Sequence, residues 1–242
     1  HNSPDPAAAT VDLYFNGELI GDDVDFRTAT DFTAGINATG TRELEVAEPN
    51  STGPGDAPVV TVDLSQLVLP GRPRIFMING VVDPNNFEPN PDGESTGLTI
   101  VSIQSSRNFG FPAGSVSRGD DTISLSLGIV HGAPDVPAVA FSSDRSDLFT
   151  YNTNQIGYPL DAVPYGGFAS PLFEEFNINN QPTALPVIDG SSDLDVKVSL
   201  ASTDSVVFDF TAPLTTLIGE YVTVFASGFL DTAANNVSSD RE

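Results

Sequence analysis

The chain contains two histidines, and both stand in the same setting: His1-Asn2-Ser3-Pro4-Asp5 returns as His131-Gly132-Ala133-Pro134-Asp135. An imidazole four residues from a carboxylate could act as an acid–base couple, with Asp5 or Asp135 orienting the ring. The architectural alternative is that the histidine ends a strand and hydrogen-bonds the following turn, Pro4 or Pro134 sets the bend, and the aspartate caps it. Recurrence at two equivalent places favours architecture. No serine nucleophile elbow, histidine-rich metal spacing or glycine-rich phosphate loop accompanies either copy. The chain has no cysteine, which removes disulfides, thiol catalysis and thiolate metal sites. The expectation is a protein that is not an enzyme, with no catalytic residues and no cofactor.

Calcium is the one ion the sequence leaves open. Glu88, Asn90, Asp92 and Glu94 place oxygen ligands on alternate residues around Gly93, which echoes half of a calcium loop. The echo lacks an aspartate at the first position and a carboxylate at the twelfth, where Thr99 stands. A solvated connection is the simpler reading. Three Asn-x-Ser/Thr sequons, at Asn37, Asn50 and Asn236, could accept glycans in loops.

Around the two corners the chain repeats itself. Val24-Asp25-Phe26 lines up with Val163-Pro164-Tyr165, Glu43-Leu44-Glu45-Val46 with Asp193-Leu194-Asp195-Val196, and Val62-Asp63-Leu64 with Phe208-Asp209-Phe210. Ile75 to Asp83 matches Thr223 to Asp231. The order is kept and the offset drifts only by loop insertions, so the chain reads as a duplication. Between these landmarks short runs alternate apolar and polar residues, the period of strands with one buried face. Asn16-Gly17 predicts a two-residue hairpin turn, since both residues tolerate positive φ. With 21 Gly, 19 Pro and no helical stripe, the expected fold is all-β: two tandem immunoglobulin-like antiparallel β-sandwich domains, residues 1–120 and 121–242.

Comparison of the copies predicts incomplete ends. The second has a strand, Ser124 to Val130, directly before its histidine, whereas the first starts at the histidine. The first continues after Asp83 into Leu98 to Ile103, whereas the second runs only eleven residues past Asp231. A sandwich lacking a strand exposes unpaired backbone, so strands are expected from neighbouring repeats or from other subunits, head to tail. Val11, Leu13 and Phe15 on one side, and Val222, Val224 and Ala226 on the other, are the expected intersubunit edges.

The surface chemistry narrows the partners. Asp and Glu number 33 against 9 Lys and Arg, for a net charge of −24, and Lys197 is the lone lysine. Such a surface repels phosphate backbones and anionic lipid, and no run approaches the ~20 apolar residues of a membrane span. Nucleic acid and membrane insertion are therefore not expected. The acidity either simply keeps a polymeric surface soluble or suits salty surroundings, where the Debye length shrinks to about 3 Å near 1 M salt.

The opening His1-Asn2-Ser3-Pro4-Asp5-Pro6-Ala7-Ala8-Ala9-Thr10-Val11-Asp12-Leu13-Tyr14-Phe15-Asn16-Gly17 resembles a family of exported bacterial and archaeal domains of unknown function. That family carries a His-x-Ser-Pro-Asp-Ala-Pro-x-Val-Asp-Val-Tyr-Val-Asn-Gly opening. The second copy keeps His131, Pro134, Asp135, Pro137 and Val139 but departs at Ala140-Phe141-Ser142. The resemblance implies a β-sandwich used in tandem in long cell-surface or secreted proteins, and supplies no catalytic residues. The expected role is an extracellular structural protein of a cell-surface filament, assembled by strand complementation with itself as a homopolymer or with neighbouring repeats. The alternative is an adhesin or glycan- or protein-binding module, which would cluster exposed aromatics among Tyr151, Tyr158, Tyr165 and Phe168.

Overall fold

The computed structural model describes residues 1–30, 39–67, 74–104, 126–143, 156–157, 160–170, 176–177, 181–182, 194–212 and 221–241. Among these the chain is all-β, with several antiparallel sheets and no helix of seven residues or more. Its strands are β1 (Thr10–Phe15), β2 (Glu18–Asp25), β3 (Glu43–Ala47), β4 (Pro58–Asp63), β5 (Arg74–Asn79), β6 (Thr99–Gln104), β7 (Ser126–His131) and β8 (Val139–Ser143). They continue with β9 (Ile156–Gly157), β10 (Phe168–Ser170), β11 (Phe176–Asn177), β12 (Gln181–Pro182), β13 (Leu194–Leu200), β14 (Val206–Ala212) and β15 (Tyr221–Ala226).

Two compact units emerge. One takes His1–Ser105, Gly132–Asp135 and Ser227–Glu242; the other takes Ser106–His131 and Val136–Ala226. The border expected at 120/121 lies outside the described residues. The division is also not a single cut, because the corner that follows His131 and the C-terminal segment belong to the first unit.

In the first unit a four-stranded sheet runs β2-β1-β3-β4, and a second ladder pairs β5 with β6. The β1–β2 turn is the Asn16-Gly17 turn foreseen, with φ of 52° and 81°, the pair of left-handed residues that a tight hairpin requires. Alternation places Val11, Leu13 and Phe15 of β1 on one face, where they join Leu44, Val46, Ile78 and Ile100 in a single apolar cluster. That cluster draws on both ladders, a sandwich-like arrangement. The opposite face of β1 is covered too: Asp12 is 1% exposed and Tyr14 is 4% exposed. The loop after β3 closes over it, since the Tyr14 hydroxyl meets Ser51 Oγ at 2.8 Å and Glu45 Oε1 accepts from the Gly55 N–H at 2.7 Å.

The second unit has sheets ordered β15-β7-β10-β9 and β14-β13-β8, with a small β11-β12 pair. Val130, Val139 and Val163 are fully buried. β15 and β7 run parallel, from Tyr221 opposite Ser126 to Ala226 opposite His131. Parallel neighbours need a long connection, and the whole of β8 to β14 lies between them.

The ladders revise the repeat alignment. Leu13 faces Val46 as Phe141 faces Val198, and Val46 faces Val60 as Val198 faces Phe208. Val60 and Val62 therefore correspond to Phe208 and Phe210, and Glu43 to Val46 correspond to residues 195–198, each two residues from the expected match. Apolar alternation fits either register equally well, because a shift of two keeps every side chain on its face. Val11 facing Val24 is matched by the Val139–Val163 bridge, as the sequence alignment anticipated.

Candidate functional site

The chemistry-bearing residues of the two corners turn out to hold the chain together. In the first, the Ser3 N–H donates to His1 Nδ1 at 3.3 Å, and His1 Nε2 lies 2.6 Å from the Ala8 carbonyl oxygen. A backbone N–H can only donate and a carbonyl can only accept, so the ring is the neutral tautomer with its proton on Nε2. Both nitrogens are engaged within the corner. Asp5 caps the next turn through the Ala7 N–H at 2.8 Å and reaches across to accept the Val82 N–H at 2.7 Å. The Ser3 hydroxyl donates to the Gly80 carbonyl at 2.6 Å.

The second corner repeats the histidine–carbonyl contact and the aspartate–loop bond. His131, fully buried, has Nε2 2.9 Å from the Pro137 carbonyl. Asp135 accepts from the N–H groups of Leu230 and Asp231, both at 2.9 Å. Leu230 is the counterpart of Val82, so each aspartate clamps the same loop. Ring packing matches as well: His1 stands edge-on to Phe26 at 6.5 Å, and His131 to Tyr165 at 6.0 Å. Burial pushes the Tyr165 phenol well above its ordinary range. The clamped loop needs glycine, for Gly80 and Gly228 have φ of 97° and 99°. A Cβ at Gly80 would sit 2.5 Å from the Gly97 carbonyl oxygen.

Sequence reasoning missed the buried carboxylate of Asp12. It accepts from the N–H of Asp23 (2.9 Å), the N–H of Ser51 (2.9 Å) and the hydroxyl of Ser51 (2.6 Å). Burial alone would raise its pKa, but the hydrogen bonds from Ser51 and Asp23 outweigh that and hold it below the usual carboxylate value. The available signal was an acid inside an otherwise apolar strand.

The expected edge at Val11, Leu13 and Phe15 is not one. β1 is paired on both sides, with β2 and β3. A strand present in one repeat and missing from the other can be recognised in sequence, but its hydrogen-bonding neighbour cannot. The neighbour here is β15, far along the chain. The free edges among the described residues lie elsewhere: β5 is paired with β6 alone, and β15 with β7 alone. Since β5 corresponds to β15, each lacks, among the described residues, the neighbour that the other has. On β15 the parallel register directs the backbone groups of Val222, Val224 and Ala226 toward β7, and those of Thr223 and Phe225 toward the open side. The expected Val222, Val224 and Ala226 thus lie on a strand with one open edge among the described residues, but bond inward.

The candidate calcium loop serves as a docking segment inside the first unit. Asn90, 4% exposed, accepts the Asp92 N–H at 3.0 Å and donates to the Pro134 carbonyl at 3.0 Å. The Glu88 N–H donates to Asn235 Oδ1 at 2.9 Å, and the Phe87 and Phe229 rings stack 5.2 Å apart. Among the described residues no group of three or more His, Cys, Asp or Glu side chains is placed to hold a metal ion. Asn50 and Asn236 are exposed in turns with φ of 65° and 53°; Asn37 lies outside the described residues. So do Tyr151 and Tyr158, while Tyr165 is buried and Phe168 half-buried. The exposed apolar residues include Val206 (54%) and Phe208 (61%) on β14.

No family model, curated protein or solved structure matches the chain.

Proposed function

We propose that this chain is an extracellular structural protein of a cell-surface fibre, built from two tandem immunoglobulin-like antiparallel β-sandwich repeats that join neighbouring repeats by adding strands across open sheet edges. The carrying observation is the reciprocal vacancy among the described residues: β5 lacks a neighbour where β15 has β7, and β15 lacks one where β5 has β6. Polypeptides rarely leave such edges uncovered, since unpaired N–H and C=O groups recruit other strands. A six-residue strand added there forms several backbone hydrogen bonds worth roughly 0.5–1.5 kcal/mol each. Burial of about three apolar side chains adds roughly 1.5–3 kcal/mol each, so the joint would be tight. The engagement of both His1 nitrogens and of the Asp5 and Asp135 carboxylates within the fold argues against their use in catalysis. The net charge of −24 fits a solvated exterior surface, and the resemblance at the opening supports a tandem-repeat surface protein.

Negative-stain electron microscopy of native material tests this reading. Strings of evenly spaced particles are expected; monodisperse single particles would refute it.

A second reading has one observation behind it. Phe208 pairs with Val198, so both point to the same face, yet Val198 is 7% exposed and Phe208 is 61% exposed. With the Phe210 ring 5.9 Å away, this apolar face of β14 suits an adhesin contact with a glycan or protein. Phe208→Ser would abolish such binding while leaving fibres intact.

A further inference from the structure

We infer that the free edge of β5 receives a parallel β-strand of the Ser126–Val130 kind, running beside β5 and ending against His1; this rests on reading the open edges as joints and names what fills one of them. The ladder for that strand has already begun. In the second repeat, Ala226 at the end of β15 pairs with His131, and Val224 pairs with Ile129. In the first, Ile78 corresponds to Ala226 and His1 to His131. The Asn2 N–H donates to the Ile78 carbonyl at 2.9 Å, which is the bond a parallel ladder makes when Ile78 faces His1.

The other flank agrees. The Gly166 N–H donates to the His131 carbonyl and the His131 N–H to the Gly167 carbonyl, at 2.7 and 3.0 Å. Correspondingly, the Arg27 N–H donates to the His1 carbonyl at 2.9 Å and the His1 amino group to the Thr28 carbonyl at 2.8 Å. His1 is therefore held on both sides as the last residue of an inserted strand, between β5 and the backbone of Arg27 and Thr28.

Beyond His1 the slot is built but, among the described residues, unpaired. The same alternation turns the Ile78 N–H, and both the N–H and C=O of Phe76, away from β6 and toward the slot. None has a backbone partner among the described residues, although Ile78 is only 4% exposed. On the far wall Ala29 and Thr30 take the places of Phe168 and Ala169, which face Val130 and Ile129 of β7. Ala29 is exposed. The occupant must be extended, must run parallel to β5, and must put an apolar residue opposite Met77 and another opposite Phe76, as Val130 and Ile129 do on β15.

The test fuses Ser-Leu-Gly-Ile-Val, the sequence of residues 126–130, directly ahead of His1 in the full chain, against a Ser-Asp-Pro-Asp-Gly fusion as the control. Amide hydrogen exchange at Phe76 and Ile78 is expected to slow about tenfold or more with the first fusion and to stay unchanged with the second, as edge amides become ladder amides. Equal exchange in both would overturn the proposal. Should either fusion fail to fold, the free peptide added in saturating excess to the unmodified chain must shift the Phe76 and Ile78 amide resonances; unmoved resonances would likewise overturn it. Protected amides together with single particles in native material would uphold the strand site and refute the fibre. Fibres whose Phe76 and Ile78 amides exchange freely would uphold the fibre and overturn this site.

Discussion

At the scale of single residues, the groups that look reactive are spent on shape. Asp5 satisfies two backbone donors that lie 75 residues apart, Ala7 and Val82. Asp5→Ala is expected to lower stability by about 1–2 kcal/mol, the cost of losing two part-buried hydrogen bonds to a carboxylate, measured by denaturant unfolding. Asp12 adds a pH dependence of definite sign. Its folded pKa is depressed, so its stabilisation is complete above the unfolded carboxylate range near pH 4. That stabilisation is lost as pH falls through the lower native value. Asp12→Asn should therefore weaken the fold at neutral pH and flatten the acid limb of a melting-temperature profile; a limb as steep as that of the parent would contradict the assignment. Gly80 makes a backbone counterpart. Gly80→Ala would combine φ of 97° with a carbonyl 2.5 Å from the new Cβ and should cost at least about 2 kcal/mol. Gly93→Ala, at φ of 77° in open space, should cost about 1 kcal/mol. Thermal melts of the two variants decide it.

At the scale of elements, the parallel register of β15 on β7 separates neighbouring residues by function. Val224 turns its N–H into the ladder, while Phe225 turns its own outward and is 38% exposed. Proline removes an N–H, so Val224→Pro should unfold the second unit, whereas Phe225→Pro should leave it folded and impair joining. Circular dichroism melts with microscopy of both variants check the pair. Strand identity and alternation were legible in the residues: Asn16-Gly17 marked its hairpin, and the repeated Val11 and Val139 found equivalent partners in Val24 and Val163. Pairing was less legible. A two-residue slip leaves apolar alternation intact, so the pattern alone fits Val62 to Phe208 as well as to Phe210. Nothing local in β5 or β7 states that one is open and the other is held parallel to a strand far along the chain. The candidate site was readable as a repeated corner, and its role emerged only when Asp135 met Leu230.

At the scale of the whole molecule, acidity and duplication set the behaviour. With a net charge of −24, self-repulsion opposes the compact state, and raising salt from about 0.1 M to 1 M shortens the Debye length from about 10 to 3 Å. The melting temperature should rise over that range in sodium chloride; a fall would show that attractive ion pairs outweigh the repulsion. Under the proposed function each repeat carries a copy of the strand that the other is left without among the described residues, so neighbouring repeats in an array would close these edges for one another. The most direct test is hydrogen exchange at Phe76, Thr223 and Phe225 in native assembled material against the dispersed chain. The account requires these edge amides to be protected in the assembly and fast in the dispersed chain. Equally fast exchange in both would contradict it.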